Sequence, residues 1–366
     1  MSSEPRASLN TAFTDRFGCR VPIMGTPMAG VSGGTLAAAT ARGGALGFIA
    51  AGHLSDPSAL AEQVALFRAL APPEALLCIG FVGYSSMSVG FGRLQAALDD
   101  HRPSVVQFFA PALVPDADGC AWGNVAVAKK AGSKVVLQVG SVEEAKRALE
   151  AEADCIVAQG REAGGHGLRT ELGSGTLPLA ARVAELARGS ERLLRPCVLA
   201  AGGITCGKGL AAALALGCDG AVLGTRLWAS AEALGKDSLK RALVEAEADD
   251  VLRTTVFDTL ANAYSPTPWP APFDSVGALH NKTSKRWHGK EDELEALLAG
   301  GQGAETIAVF RAAVQAGDAE SATVLAGEGV GAIGAIEPAE HIILRIEVEA
   351  IDQIRRMSGA IYVSSL

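Results

Sequence analysis

The sequence predicts an α/β protein, a (β/α)8 TIM barrel with a small mainly helical excursion near its C-terminal end. Three observations predict it. Short apolar runs alternate with alanine-rich helical stretches at close intervals. Gly, Pro, Ser or Asp punctuates each junction. The strongest phosphate-binding signals follow the seventh and eighth strands, where such barrels bind phosphate. The competing doubly wound open sheet would carry its glycine-rich turn after the first strand, and no good Gly-x-Gly-x-x-Gly turn stands there.

In chain order, the expected strands are residues 21–26, 45–50, 76–82, 104–110, 134–139, 155–159, 197–201 and 220–224. They are largely apolar, as parallel strands covered on both faces must be. Helical patterns fill the gaps at 35–42, 56–70, 91–100, 122–131, 142–151, 177–188 and 207–216. Ser141, followed by Glu143 and Glu144, marks one helix start, where a hydroxyl and two carboxylates complement unpaired amides and the helix dipole. The barrel is expected to occupy residues 1–235. Beyond it the rhythm stops, and Pro266, Pro268, Pro270 and Pro272 mark an ordered linker or lid. Residues 236–320, with the polar helix-compatible stretch 290–298, read as the helical excursion over the barrel mouth. Residues 321–366, glycine-rich at 326–331 and apolar-periodic at 338–354, read as a segment repacking on the barrel.

Composition bounds the function. A chain of 366 residues with 49% hydrophobic content and 43 glycines can bury a large core, and 5% aromatic content suits small-residue helices packed tightly on strands. A net charge of -8 without an extended Lys/Arg cluster argues against nucleic acid or an anionic membrane surface as partner. Cys19, Cys78, Cys120, Cys155, Cys197, Cys206 and Cys218 are scattered, with no Cys-x-x-Cys pair, and read as free thiols in a reducing compartment. No metal-ligand spacing stands out, so no metal is expected. Residues 1–10 lack the features of a secretory signal, and no apolar stretch has the length of a membrane span. The expectation is a cytoplasmic monomer or homodimer.

The chemistry gathers at the strand ends. After strand 155–159 comes Gly160-Arg161-Glu162-Ala163-Gly164-Gly165-His166-Gly167. Glycines on both sides of one histidine let a flat ligand lie against the main chain while a neutral imidazole reaches its edge as a base. His53, His101, His280 and His288 read as surface groups or local caps. Pro27, Met28 and Ala29 form a rigid turn after the first strand that a planar ring can approach. Gln138 and Gln159 end the fifth and sixth strands, and their amides can hydrogen-bond either a heterocycle edge or neighbouring backbone. Gly202 and Gly203 end the seventh strand, and Gly207-Lys208-Gly209 opens a helix whose free amides are expected to face an anion. Gly224-Thr225-Arg226, after the eighth strand, adds an amide, a hydroxyl and a guanidinium, completing a phosphate cup.

These motifs, in this order, resemble those of the nitronate monooxygenase family, formerly 2-nitropropane dioxygenases, which are FMN-dependent β/α barrels. The resemblance spans nearly the whole chain and rests on residues 22–30, Gln138-Val139-Gly140-Ser141, 159–166, Ala201-Gly202-Gly203-Ile204 and Gly224-Thr225. It implies FMN contacts from Pro27, Met28, Ala29, Gln138, Gly165, Gly202, Gly203, Gly224 and Thr225. It also implies that His166 is the catalytic base that removes the α proton of a neutral nitroalkane, a step an ionised nitronate does not need. The nitronate would then give one electron to FMN, and the flavin semiquinone and substrate radical would react with O2 to end in a carbonyl compound and nitrite. Lys208 or Arg226 would add positive charge near the flavin. Asn281, Trp287-His288-Gly289 and 326–331 also look like family segments, and His280 stands where the resemblance leads one to expect an arginine, a departure that either alters the pocket mouth or has no effect.

One flavin barrel hosts several reactions. An FMN-dependent NAD(P)H:quinone or enoyl-thioester reductase with the same Gly-Gly-His loop, and a flavin-binding scaffold without turnover, are the alternative readings.

Overall fold

Strands with apolar side chains on both faces pair with one another and are covered by helices outside, and this burial builds the molecule from its centre. The computed structural model describes residues 7–54, 56–83, 92–110, 123–265 and 268–359. Cys120, Pro266 and the expected helix starts at Phe91 and Trp122 lie outside them. The strands are β1 (Ile23–Gly25), β2 (Ile49–Ala50), β3 (Cys78–Val82), β4 (Val105–Phe109), β5 (Lys134–Val139), β6 (Cys155–Gln159), β7 (Gly165–Gly167), β8 (Cys197–Ala201) and β9 (Gly220–Leu223). All but β7 form one parallel sheet in the order β1-β9-β8-β6-β5-β4-β3-β2. Its two edges meet through a parallel bridge between Met24 and Leu46, so the sheet curls into the expected TIM barrel.

The outer layer includes α2 (Gly34–Arg42), α3 (Pro57–Leu70), α4 (Gly92–His101), α5 (Gly123–Lys130), α6 (Val142–Glu150), α7 (Thr176–Arg188) and α8 (Gly207–Ala215), matching the seven sequence-expected helices. Alanines make close approach possible: Ala38, Ala145, Ala180 and Ala184 are buried in one core with Ile79, Leu137, Ile156 and Val198 of the sheet. The Ser141 cap forms as expected, its hydroxyl accepting from the Glu144 amide at 3.1 Å.

A second core fills the barrel interior. Cys78, Val105, Cys155 and Cys197, at the amino ends of their strands, meet Phe13 and Phe17 of an element the sequence reading omits, α1 (Ala12–Phe17). Arg16 of α1 donates to the Asp154 and Arg195 carbonyls just before β6 and β8. This short helix plugs the amino-terminal end and leaves the carboxyl-terminal end for a cavity. Burial pushes the thiols of Cys19, Cys197 and Cys218 up to about 12, so they are poor nucleophiles.

After α9 (Thr225–Trp228) and α10 (Asp237–Glu245) the chain adds β10 (Val251–Thr254), α11 (Val256–Asn262), β11 (Ser275–Leu279), α12 (Lys282–Trp287), α13 (Glu291–Ala299) and α14 (Ala304–Ala316). The excursion is thus mainly helical but contains two strands that the sequence reading lacks. They pair antiparallel with each other, and β11 pairs with β7, placing Val276 opposite His166. The final helix, α15 (Ala339–Gly359), packs on α8 and α2. Among the described residues, no helix is long and apolar enough to cross a membrane.

Candidate active site

At the carboxyl ends of the barrel strands lies a cavity of about 540 Å³, a size that suits a cofactor and a small substrate. Pro27, Met28 and Ala29 form one wall. Pro27 sits there because β3 has a glycine beneath it: a Cβ on Gly80 would collide with the proline ring. Ser32 ties the turn, donating to the Thr26 carbonyl at 2.9 Å and accepting from the Met28 amide at 3.1 Å. The Gly30 amide donates to Nε2 of His53 at 3.1 Å. His53 itself lines the cavity, so it is more than the surface group expected from sequence, and desolvation holds its pKa below the ordinary value.

Gly202, Gly203, Gly224 and Thr225 line the cavity at the carboxyl ends of β8 and β9, the latter strand pairing with β1. Gly202 and Gly203 have φ of +119° and +68°, which glycine adopts without strain. The glycine-rich segment 326–331 wraps this end: the Gly327 amide donates to Thr225 Oγ1 at 3.0 Å, and Thr205 Oγ1 donates to the Gly329 carbonyl at 3.0 Å. A Cβ on Gly329 would strike the Gly203 carbonyl, so two backbones meet here with no side chain between them.

Three expectations fail at this end. The amino terminus of α8 is closed by the protein itself, because the Gly207 amide donates to Glu349 of α15 at 2.9 Å. Arg226 is 1% exposed and turned away, donating to the Ala335 carbonyl at 3.0 Å and to Glu337 at 2.8 Å. Lys208 is exposed and outside the cavity wall. Among the described residues, no Lys, Arg, Asp or Glu lines the cavity, and the cup consists of backbone and neutral side chains.

Gly165 and His166 line the third side, together with Gln138 and Gln159. His166 is held in the short strand β7, not in a free turn. Its Nε2 lies 3.0 Å from Asp258 Oδ1 on α11, and the side chains are 18% and 7% exposed. Its ring stacks on the Trp269 indole, with centroids 3.7 Å apart and planes at 19°. Asn262 fixes Trp269 through both its backbone groups, accepting from the amide at 2.9 Å and donating to the carbonyl at 3.1 Å. Trp269 is thereby pinned against the histidine.

Arg253 of β10 holds the loop before His166. Its guanidinium donates to the carbonyls of Ala163 at 2.6 Å and Ser275 at 3.0 Å, with longer bonds to Arg161 and Gly165 at 3.3 and 3.4 Å. Burial lowers its pKa to about 10, which leaves it charged at neutral pH. The Gln159 Nε2 donates to the His166 carbonyl at 2.8 Å, so this amide serves neighbouring backbone as well as the cavity.

Every residue expected to touch the cofactor lines one cavity with His166, and the sequence pattern did not mark Asp258, Trp269 or Arg253. His280 is not at the pocket wall; it hydrogen-bonds Ser284 at 3.1 Å. Asn281 caps α12, accepting from Thr283 and donating to the Ala322 carbonyl at 2.7 Å, a scaffold role for a family-like residue.

A family model described as nitronate monooxygenase matches residues 121–349. The chain is 30% identical to a nitronate monooxygenase from Neurospora crassa, over 92% of this chain and 91% of that protein. Among solved structures, FabK from Thermotoga maritima superposes with a TM-score of 0.75 at 25% identity, covering 97% of this chain and 100% of that one. A nitroalkane oxidase from Streptomyces ansochromogenes superposes at 0.71 with 26% identity, covering 95% and 100%. With the family model spanning more than half its length and a relative matching almost end to end, this chain belongs to the nitronate monooxygenase family of oxidoreductases.

Proposed function

We propose that the protein is an FMN-dependent enzyme that oxidises alkyl nitronates, and neutral nitroalkanes after deprotonation by His166, using O2 and yielding a carbonyl compound and nitrite. The observation that carries this reading is the convergence of an imidazole and a neutral, glycine-lined cradle in one cavity. FMN fits the donor set. Gly202, Gly203, Gly224 and Thr225 would hold its phosphate with backbone amides and a hydroxyl. The Pro27–Ala29 turn and Gly165 would offer flat surface to the ring, and the amides of Gln138 and Gln159, which line the same cavity, would hydrogen-bond its polar edge. When bound, FMN supplies the redox chemistry.

The protein supplies acid–base chemistry and enclosure. With Nε2–H donated to Asp258, His166 keeps its lone pair on Nδ1. That nitrogen takes the α proton, leaving the electron pair on the substrate as the nitronate. The resulting imidazolium is stabilised by the carboxylate on one edge and the indole on its face. Phe109, 5.9 Å from Trp269, extends the apolar wall that keeps water from the reacting carbon.

The test is an anaerobic visible spectrum of the purified protein with an alkyl nitronate, with NADH in a parallel cuvette, followed by nitrite assay in air. Oxidised-flavin absorbance that falls with nitronate and not with NADH, with nitrite formed in air, is the expected result. Bleaching by NADH alone would replace this reading with the reductase. Flavin unaltered by either would leave a scaffold, and a colourless protein that takes up no added FMN would end the flavin reading.

A further inference from the structure

The amide edge of the cavity is set by a residue outside it. Gln107 lies in β4, is fully buried and does not line the cavity. Its Nε2 donates to Gln138 Oε1 at 2.6 Å, Gln138 Nε2 donates to Gln159 Oε1 at 2.9 Å, and Gln159 Nε2 donates to the His166 carbonyl at 2.8 Å.

This chain has one permitted direction. A peptide carbonyl only accepts, so Gln159 turns its NH2 toward His166 and its oxygen toward Gln138. Gln138 must then offer an N–H to that oxygen, which turns its own oxygen toward Gln107, and Gln107 must donate in turn. The cost falls at the far end: among the described residues, Oε1 of Gln107 is buried without a partner. A glutamine serving only to fill β4 would gain nothing from that orphan, which an apolar side chain of the same size would avoid.

Gln138 and Gln159 have their oxygens turned along the chain and one N–H spent in it, which leaves each a second N–H. We propose that Gln107 is a positioning residue that, acting through Gln138 and Gln159, fixes a hydrogen-bond-donating edge against acceptor atoms of the bound heteroaromatic ring. Resting on the flavin reading of this site, the proposal makes those acceptors the ring atoms that gain negative charge on reduction, so the donors raise the reduction potential. The same chain ties this edge to the main chain of the proposed base.

Two variants test it. Gln107→Met keeps the length and removes the donor. Gln107→Glu keeps the shape and makes the donor titratable, because a protonated carboxyl can donate to Gln138 and an ionised one cannot. FMN affinity, visible spectrum and reduction potential are measured on each purified protein, with the parent as reference. Gln107→Met is expected to bind FMN about tenfold more weakly, with a lower potential and displaced absorption bands. Gln107→Glu is expected to match the parent at low pH and to move toward the Met variant as pH rises, a profile that a space-filling role would not produce. Parent-like affinity, spectrum and potential in both variants, or in Gln107→Glu at every pH should Gln107→Met not fold, would overturn the proposal. A parent that binds no FMN would instead defeat the flavin reading.

Discussion

His166 and Asp258, 92 residues apart in sequence, face each other across 3.0 Å between Nε2 and Oδ1, and the second oxygen of Asp258 is buried without a partner among the described residues. The carboxylate thus has one visible duty, to hold the imidazole in one tautomer. Asp258→Asn is expected to retain FMN but lower kcat on neutral nitroalkanes by about 100-fold, because the amide can present an N–H to Nε2 and move the proton to the wrong nitrogen. His166→Asn should lose still more on those substrates, and both should lose less on preformed nitronates. Parallel steady-state assays decide: an equal loss on both substrate forms would mean that these residues support the site without moving the proton.

Trp269 roofs the base at a centroid distance of 3.7 Å. Replacing it by alanine opens that side and removes the stack, so KM for short nitronates should rise roughly tenfold while longer or branched ones gain relative to them. Asn262→Leu, which keeps the indole but releases its backbone, should show the same trend more weakly. A kcat/KM series across chain lengths checks both, and an unchanged rank order would show that the indole does not bound the substrate.

Gly80 gives Pro27 its seat. Gly80→Ala should displace the Pro27–Ala29 turn or strain β3, with a stability loss of about 1–3 kcal/mol and weaker FMN binding. Thermal unfolding with and without FMN measures the two effects separately, and an unaltered affinity would mean that the turn does not touch the ring.

Desolvation lowers the His53 pKa, and neutral Nε2 accepts from Gly30. The folded protein therefore binds fewer protons than the unfolded chain, so the contribution to stability is present at high pH and fades as pH falls below about 6.5 toward the depressed folded value. FMN retention should weaken over that window. His53→Gln preserves an acceptor that does not titrate and should flatten the profile; identical parent and variant profiles would assign the pH dependence elsewhere.

The barrel strands are legible in sequence because burial on both faces demands continuous apolar runs, as in Cys155–Gln159 and Cys197–Ala201. A three-residue strand such as β7 is too short to show periodicity, and its partner β11 begins more than a hundred residues later. Asp258 lies in the unremarkable helix sequence Val256–Asn262, and only the fold brings it to His166. Nor could local reading foresee that Glu349 would occupy the end of α8, since any helix beginning with glycine looks open until a distant carboxylate arrives. Gln107 did leave a signal: it is the one polar residue in the otherwise apolar β4.

The absence of Lys, Arg, Asp and Glu from the cavity wall, among the described residues, also governs how a ligand is held. A ligand in contact with this wall meets oriented dipoles and neutral side chains, while charge such as that of Arg253 stands behind the wall on the Ala163 carbonyl. At contact range, fit and the direction of those dipoles decide what is held.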